Sequence, residues 1–181
     1  MKNNLEKRKE NDEFNSIIQD LVNDETVCKM KNFRQHYSTS CFDHCYSVAY
    51  YNYIICKKLG LDYVSCARAG MLHDLFLYDW REKKDDRKGL HAFTHPRTAL
   101  NNARKITYLN EKEQDIILKH MWPITIIFPK YLESYVITLT DKYCALKEFY
   151  YAYLSNRKVQ KYYCKYAYFL FYISIFSYKL F

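Results

Sequence analysis

Apolar positions along the chain recur at steps of three and four, the period of an α-helix with one buried face. Phe14, Ile17, Ile18, Leu21 and Val22 hold that spacing, which predicts a first ordered helix from near Asp12 with a frayed segment ahead of it. A shorter helical stretch around Val27 to Phe33 leads into a polar loop, Arg34 to Ser40. Ser40-Cys41-Phe42-Asp43 then resembles a capping box with Asp in place of Glu, and the helix it opens runs toward Lys58, with Gly60 as its stop. Cys41, His44, Cys45, Val48, Tyr51 and Ile55 fall on one stripe of that helix, so His44 faces inward near its first turn.

Asp62 is a good N-cap for the next helix, in which Cys66, Ala69, Gly70 and His73 share a face of small residues that ends in the doublet His73-Asp74. The charged run from Tyr78 to Leu90 reads as an exposed loop. Thr94-His95-Pro96 predicts a helix start, because Pro is tolerated in the first turn, and Ala99, Leu100, Ala103 and Ile106 continue its period. Asn110 with Glu113 predicts another capped start, leading to Ile116, Ile117, His120 and Met121 on one face before Pro123 ends the helix. In the last long segment Ser134, Ile137, Asp141, Cys144 and Ala145 share a stripe, which puts a carboxylate where an apolar residue is expected.

Composition agrees with an all-α fold. Only 3 Gly and 3 Pro punctuate 181 residues, about one domain's length. The expected organisation is a helical lead-in over 1–33, the main domain over 34–150 and an aromatic C-terminal helix over 151–181, packed on the domain or on a partner. The 7 Cys are an odd number without a C-x-x-C pair, and the N-terminus carries no apolar signal, so reduced thiols and a cytoplasmic location are the default. The net charge of +8 belongs mainly to the end of the chain: between Lys142 and Phe181 seven basic residues face Glu148 alone. Nucleic acid is therefore a poor candidate partner, and no zinc-finger or RNA-recognition signature accompanies the charge. Tyr166 to Tyr178 is uncharged but too short for the ~20 residues of a bilayer span, which leaves an interfacial membrane helix or a homo-oligomer contact as alternatives to packing on the domain.

His44, His73, Asp74, His95, His120 and Asp141 are six ligand-type residues, most of which interrupt apolar faces. A buried polar group without a partner costs roughly 2–7 kcal/mol, so several together would cancel the ~5–15 kcal/mol that holds a domain folded. Imidazole and carboxylate are ligands for borderline or hard divalent metals, and a shared metal centre satisfies all six at once.

The order of these residues resembles the HD-domain superfamily of metal-dependent phosphohydrolases, in particular the subset with two extra histidines for a second metal. The likeness covers about Gln35 to Glu148. Local wording extends it: Tyr-Ser-Thr-Ser-x-x-Asp-His ending at His44, Leu-His-Asp-x-Phe-Leu-Tyr-Asp-Trp from Leu72 to Trp80, His-Pro-Arg at His95, Lys-His-Met-Trp-Pro at His120 and Asp-Lys-Tyr-Cys-Ala at Asp141 are similar to a group of uncharacterised bacterial HD hydrolases. The resemblance implies an all-helical bundle with the metal site between its central helices. It implies that His44, His73, Asp74 and Asp141 hold one ion and His95 and His120 a second, with Asp74 bridging, the ions being Fe, Mn, Zn, Co or Ni. Asp74 and His73 would form the catalytic centre, where a hydroxide between two metals cleaves a phosphomonoester or phosphodiester, a nucleotide among the small phosphorylated substrates. Arg97, Lys142, His91 and Arg81 are the expected phosphate contacts, and His36 is a further candidate at the substrate. The Gly-Tyr-Pro motif of the branch that cleaves cyclic-di-GMP is absent, because Met121 follows His120, and that substrate is not supported.

Two other readings stay open. Di-iron oxygenases of the myo-inositol-oxygenase type use a similar His/Asp set on the same fold, and the metal of a non-catalytic binding module would be structural alone. Cys41 and Cys45 beside His44 also invite a thiolate site, against which stands the ordinary use of free Cys as a small buried apolar residue.

Overall fold

The structure is a computed structural model in which residues 2–36, 39–82 and 89–155 are described. Its centre is a pair of helices, α3 (Cys41–Lys58) and α4 (Tyr63–Leu72), in close contact over their length. The approach depends on small residues. A Cβ added at Gly70 would lie 2.8 Å from Ala49 Cα and 2.9 Å from Asn52 Nδ2, so only glycine lets the two backbones meet there. Helix α3 starts where Ser40 Oγ accepts from the Asp43 amide at 3.1 Å, and its end passes through Leu59 to Gly60 at φ 67°. Asp62 caps α4 by accepting from the Ser65 amide at 3.0 Å.

Around this pair lie α1 (Lys2–Val22), the short α2 (Glu25–Cys28) with a tight turn over Lys29–Asn32, α5 (His91–Ile106), α6 (Glu111–Lys119) and the long α7 (Leu132–Ser155). Helix α7 packs on α3 and α6, α5 packs on α6, and α1 on α4. The all-α expectation holds, apart from a small antiparallel ladder of β1 (Arg34–His36) and β2 (Thr39–Ser40) within the segment expected as a loop. The ladder delivers Gln35 and His36 to the mouth of the central helices.

Two helix starts and one buried face differ from the sequence pattern. Helix α1 begins at Lys2 rather than near Asp12, because its polar early turns are good helix formers although the buried stripe starts only at Phe14. Helix α5 begins at His91, so Pro96 sits inside it at the cost of one backbone hydrogen bond. On α3 the buried stripe runs Cys41, His44, Cys45, Val48, Ala49, Asn52 and Cys56, and Tyr51 and Ile55 are only partly covered.

Phe14, Ile18, Leu21, Val27 and Met30 join the same hydrophobic core as α3 and α4, so the N-terminal segment is packed on the bundle. The six described cysteines are unpaired. No helix among the described residues is long and apolar enough to cross a membrane. The expected aromatic helix of the chain's end falls largely on residues 156–181, outside the described residues, as do residues 83–88 of the charged run.

Candidate metal centre

Two of the site's histidines stand at the same structural position. His73 is the C-cap of α4 and His120 the C-cap of α6, and each ring reaches back to the carbonyl three residues earlier, His73 Nδ1 to Gly70 O and His120 Nδ1 to Ile117 O, both at 2.8 Å. The bonds satisfy carbonyls that a helix end leaves orphaned. His95, in the second turn of α5, does the same with His91 O at 2.8 Å. A carbonyl only accepts, so in the neutral form of each ring Nδ1 carries the proton and Nε2 the lone pair.

Those lone pairs converge. His95 Nε2 and His120 Nε2 lie 2.8 Å apart, and they stand 3.2 and 3.6 Å from Asp74 Oδ1. His73 Nε2 is 3.5 Å from Asp74 Oδ2 and 3.7 Å from Asp141 Oδ1. With the rings neutral, acceptors are aimed at acceptors. His73 Nε2 and Asp74 Oδ1 are buried without any hydrogen-bond partner. Asp74 is anchored from outside by Gln35 Nε2 on its side chain and by the Cys41 thiol on its carbonyl at 3.3 Å.

His44, fully buried on α3, completes the cluster. Its Nε2 meets Asp141 Oδ1 at 3.1 Å and its Nδ1 meets Glu148 Oε1 at 2.9 Å, both carboxylates coming from α7 one heptad apart. His36 stands edge-on to His44, with ring centroids 5.2 Å apart. Within reach of a single ion are the sets His73, Asp74 and His120; His44, His73 and Asp141; and His36, His44 and Glu148.

The ionisation balance calls for positive charge. Burial disfavours an ionised Asp74, but the His73 and His95 imidazoles beside it outweigh burial and hold its carboxyl well below the usual range. Asp141 is also held low, against burial, by His44 and His73. Burial would strip the proton from His44, yet Asp141 and Glu148 push its pKa well above that of a free imidazole. His120 is pushed down to about 3 by burial and by the neighbouring His73 and His95. Among the described residues, the ion-pair partners of Asp74, Asp141 and Glu148 are imidazoles alone.

A cavity of about 170 Å³ opens onto Asp74, His95, His120 and Asp141, with Gln35, His36, His91 and Lys142 among its lining residues. The family model described as HD domain matches residues 41–146 of the chain. The chain belongs to the HD domain family. No curated protein and no solved structure is matched by the chain.

HD domains are generally metal-dependent phosphohydrolases, and the residues present fit a divalent cation. Three imidazoles with their Nε2 atoms turned inward, the buried carboxylate of Asp74, the partly buried one of Asp141 and two unpartnered buried polar atoms form a donor set suited to a cation among them. Helices α4 and α6 add the negative ends of their dipoles. The thiols stay outside this set: burial and neighbouring Cys41 push Cys45 far above the thiolate range, and Cys45 Sγ lies 3.7 Å from the protonated Nδ1 of His73.

All six HD-pattern residues are brought together. The expected substrate contacts separate. His36, His91 and Lys142 line the cavity; His91 stacks between Trp80 and His95, with centroids at 5.6 and 4.5 Å. Arg97 is placed elsewhere. It lies two residues past His95, roughly 200° around α5, and lines a surface groove with Phe93 and Ile127. Arg81 is also outside the cavity lining, bonded to Asp79 at 2.9 Å and exposed. Sequence reasoning missed Glu148 and Gln35 as parts of the site. Glu148 had a usable signal, its heptad distance from Asp141 on the same helix. Gln35, in a two-strand ladder, had none.

Proposed function

We propose that the protein is a metal-dependent phosphohydrolase that cleaves a small phosphomonoester or phosphodiester, with nucleotides among its substrates. The observation that carries this reading is the inward-facing set of His73, His95 and His120 around Asp74, opened to solvent by a cavity of small-molecule size. The ligand set would be His44, His73, Asp74 and Asp141 for one ion and His95 and His120 for a second, with Asp74 shared. Bound divalent metal supplies Lewis acidity toward phosphoryl oxygens and a water of lowered pKa.

The chain's own groups account for the rest. Asp74, ionised at any physiological pH, stays oriented by Gln35. Lys142, whose Nζ donates to Trp122 O at 3.2 Å and Thr138 O at 3.1 Å, stands at the wall where a phosphoryl oxygen would be held. His36 is kept neutral by burial and by His44, so at the same wall it can accept a proton from an attacking water.

The test is turnover of a phosphomonoester and phosphodiester panel by purified protein supplied with Mn, Co, Zn, Ni or Fe. Asp74→Ala should lose both metal and turnover. Folded, metal-replete protein inert toward the whole panel would refute the proposal, and activity that requires oxygen would point instead to the di-iron oxygenase alternative.

A further inference from the structure

Helix α7 uses one face for the core and the metal centre; its other face carries a second apolar seam that the described residues leave more than half exposed. Leu139, Tyr143, Leu146 and Tyr150 follow one another at steps of four and three, and each is more than half exposed, Leu139 and Leu146 by 70% and 68%. That is the spacing of a helix–helix seam. Contiguous apolar strips of this kind are uncommon on monomers without a partner.

The chain itself supplies an occupant. Immediately after Ser155 the chain continues for residues 156–181, in which Tyr162, Tyr166, Phe169, Ile173, Phe176 and Leu180 repeat the steps of four and three. The α7 seam does not run on into this segment as one straight helix: the next positions on its face are Arg157 or Lys158 and Gln160 or Lys161, all polar. A reversal at the polar stretch from Ser155 to Lys158, a length usual for helix–helix connections, brings the two seams face to face. Lengths match as well. Residues 159–181 as a helix would extend about 35 Å, against about 36 Å for α7 at 1.5 Å per residue.

We propose that the exposed face of α7 is the docking site of the chain's own residues 159–181, which pack antiparallel on it as an eighth helix. The tether favours this occupant over a second copy, because a short linker holds the segment at an effective concentration in the millimolar range. Four side chains of this size, each more than half exposed, offer on the order of 500 Å², below the ~800 Å² per partner of a standard intermolecular interface.

Hydrogen exchange of the full chain, read by mass spectrometry on peptides from 159–181, tests the proposal alongside light scattering. In wild type these peptides should be protected at a monomer mass of 22.0 kDa. The double variant Leu139→Glu/Leu146→Glu should lose at least tenfold of that protection, with its mass unchanged and α3 and α4 exchanging as before. Tyr150→Ala, a milder change, should lose protection partially and serves if the double variant misfolds. Unchanged tail protection in both variants overturns the proposal. So does a wild-type mass of two chains that falls to one in the variant, which assigns the seam to a second copy. Protection acquired only with anionic phospholipid vesicles overturns it in favour of a membrane surface.

Discussion

Glu148 lies two residues beyond the HD family match, yet its carboxylate holds the only proton of His44 that does not face the metal centre. Removing it separates two effects of opposite sign. Glu148→Ala leaves the buried Nδ1–H without an acceptor and the ring without its orienting contact, which for carboxylates behind metal-bound histidines costs 10–100-fold in affinity, or about 1.4–2.7 kcal/mol. The same change withdraws part of the field that raises the His44 pKa, so a proton competes less with metal. At pH above the raised His44 value only the first effect remains, and the variant should bind Zn or Mn 10–100-fold more weakly than wild type. As pH falls toward 6 the gap should narrow, because wild type pays for displacing a more tightly held proton. Glu148→Gln keeps an acceptor but loses its charge, a difference of about 1 kcal/mol, and should fall roughly fivefold. Competition against a chromophoric chelator from pH 6 to 9 measures this, with chelator-treated melting temperatures as the control for folding. Alanine and wild-type affinities within a factor of two at high pH, or a gap constant across the range, would refute the orienting role.

Three further outcomes follow from contacts described above. Gly70→Ala forces a Cβ to 2.8 Å from the Ala49 backbone, and such overpacking should destabilise the fold by about 1–3 kcal/mol; an unchanged urea midpoint would show that α3 and α4 part without cost. Lys142→Ala should raise KM for a phosphoester at least tenfold and Arg97→Ala by less than twofold, since only Lys142 lines the cavity; equal effects measured by initial rates would contradict that placement. Stripped of metal, the protein should melt highest slightly above pH 6.5: the stabilisation from Asp74 and Asp141, whose pKa values are lowered, is present above about pH 4 and lost as pH falls through their folded values, while His120 at about 3 makes stability fall from pH 6.5 downward. His44 acts in the other direction, its raised pKa giving stability below about 6.5 that fades as pH rises through the folded value; calorimetry from pH 4 to 9 showing no alkaline decline would contradict this.

What was legible in the sequence followed from periodicity. His44, Asp141 and the Cys66-to-His73 face interrupt or continue helical stripes, so a 3.6-residue period places them inward before any contact is known. Caps were equally readable, because Ser40, Asp62 and Asn110 with Glu113 satisfy amides of their own helices and need no tertiary partner. The same logic shows where reading stops. Arg97 beside His95 is near in sequence but on another side of α5, a separation that the helical period itself implies. Gln35 reaches Asp74 across 39 positions from a strand with no repeating pattern, so no local rule points to it. Glu148 lies between these cases: one heptad from Asp141, it announces a shared face, but whether it binds metal or steadies a ligand depends on which nitrogen of His44 it meets. That is decided by how far α7 slides along α3, a quantity set by packing of the whole bundle and carried by no single residue.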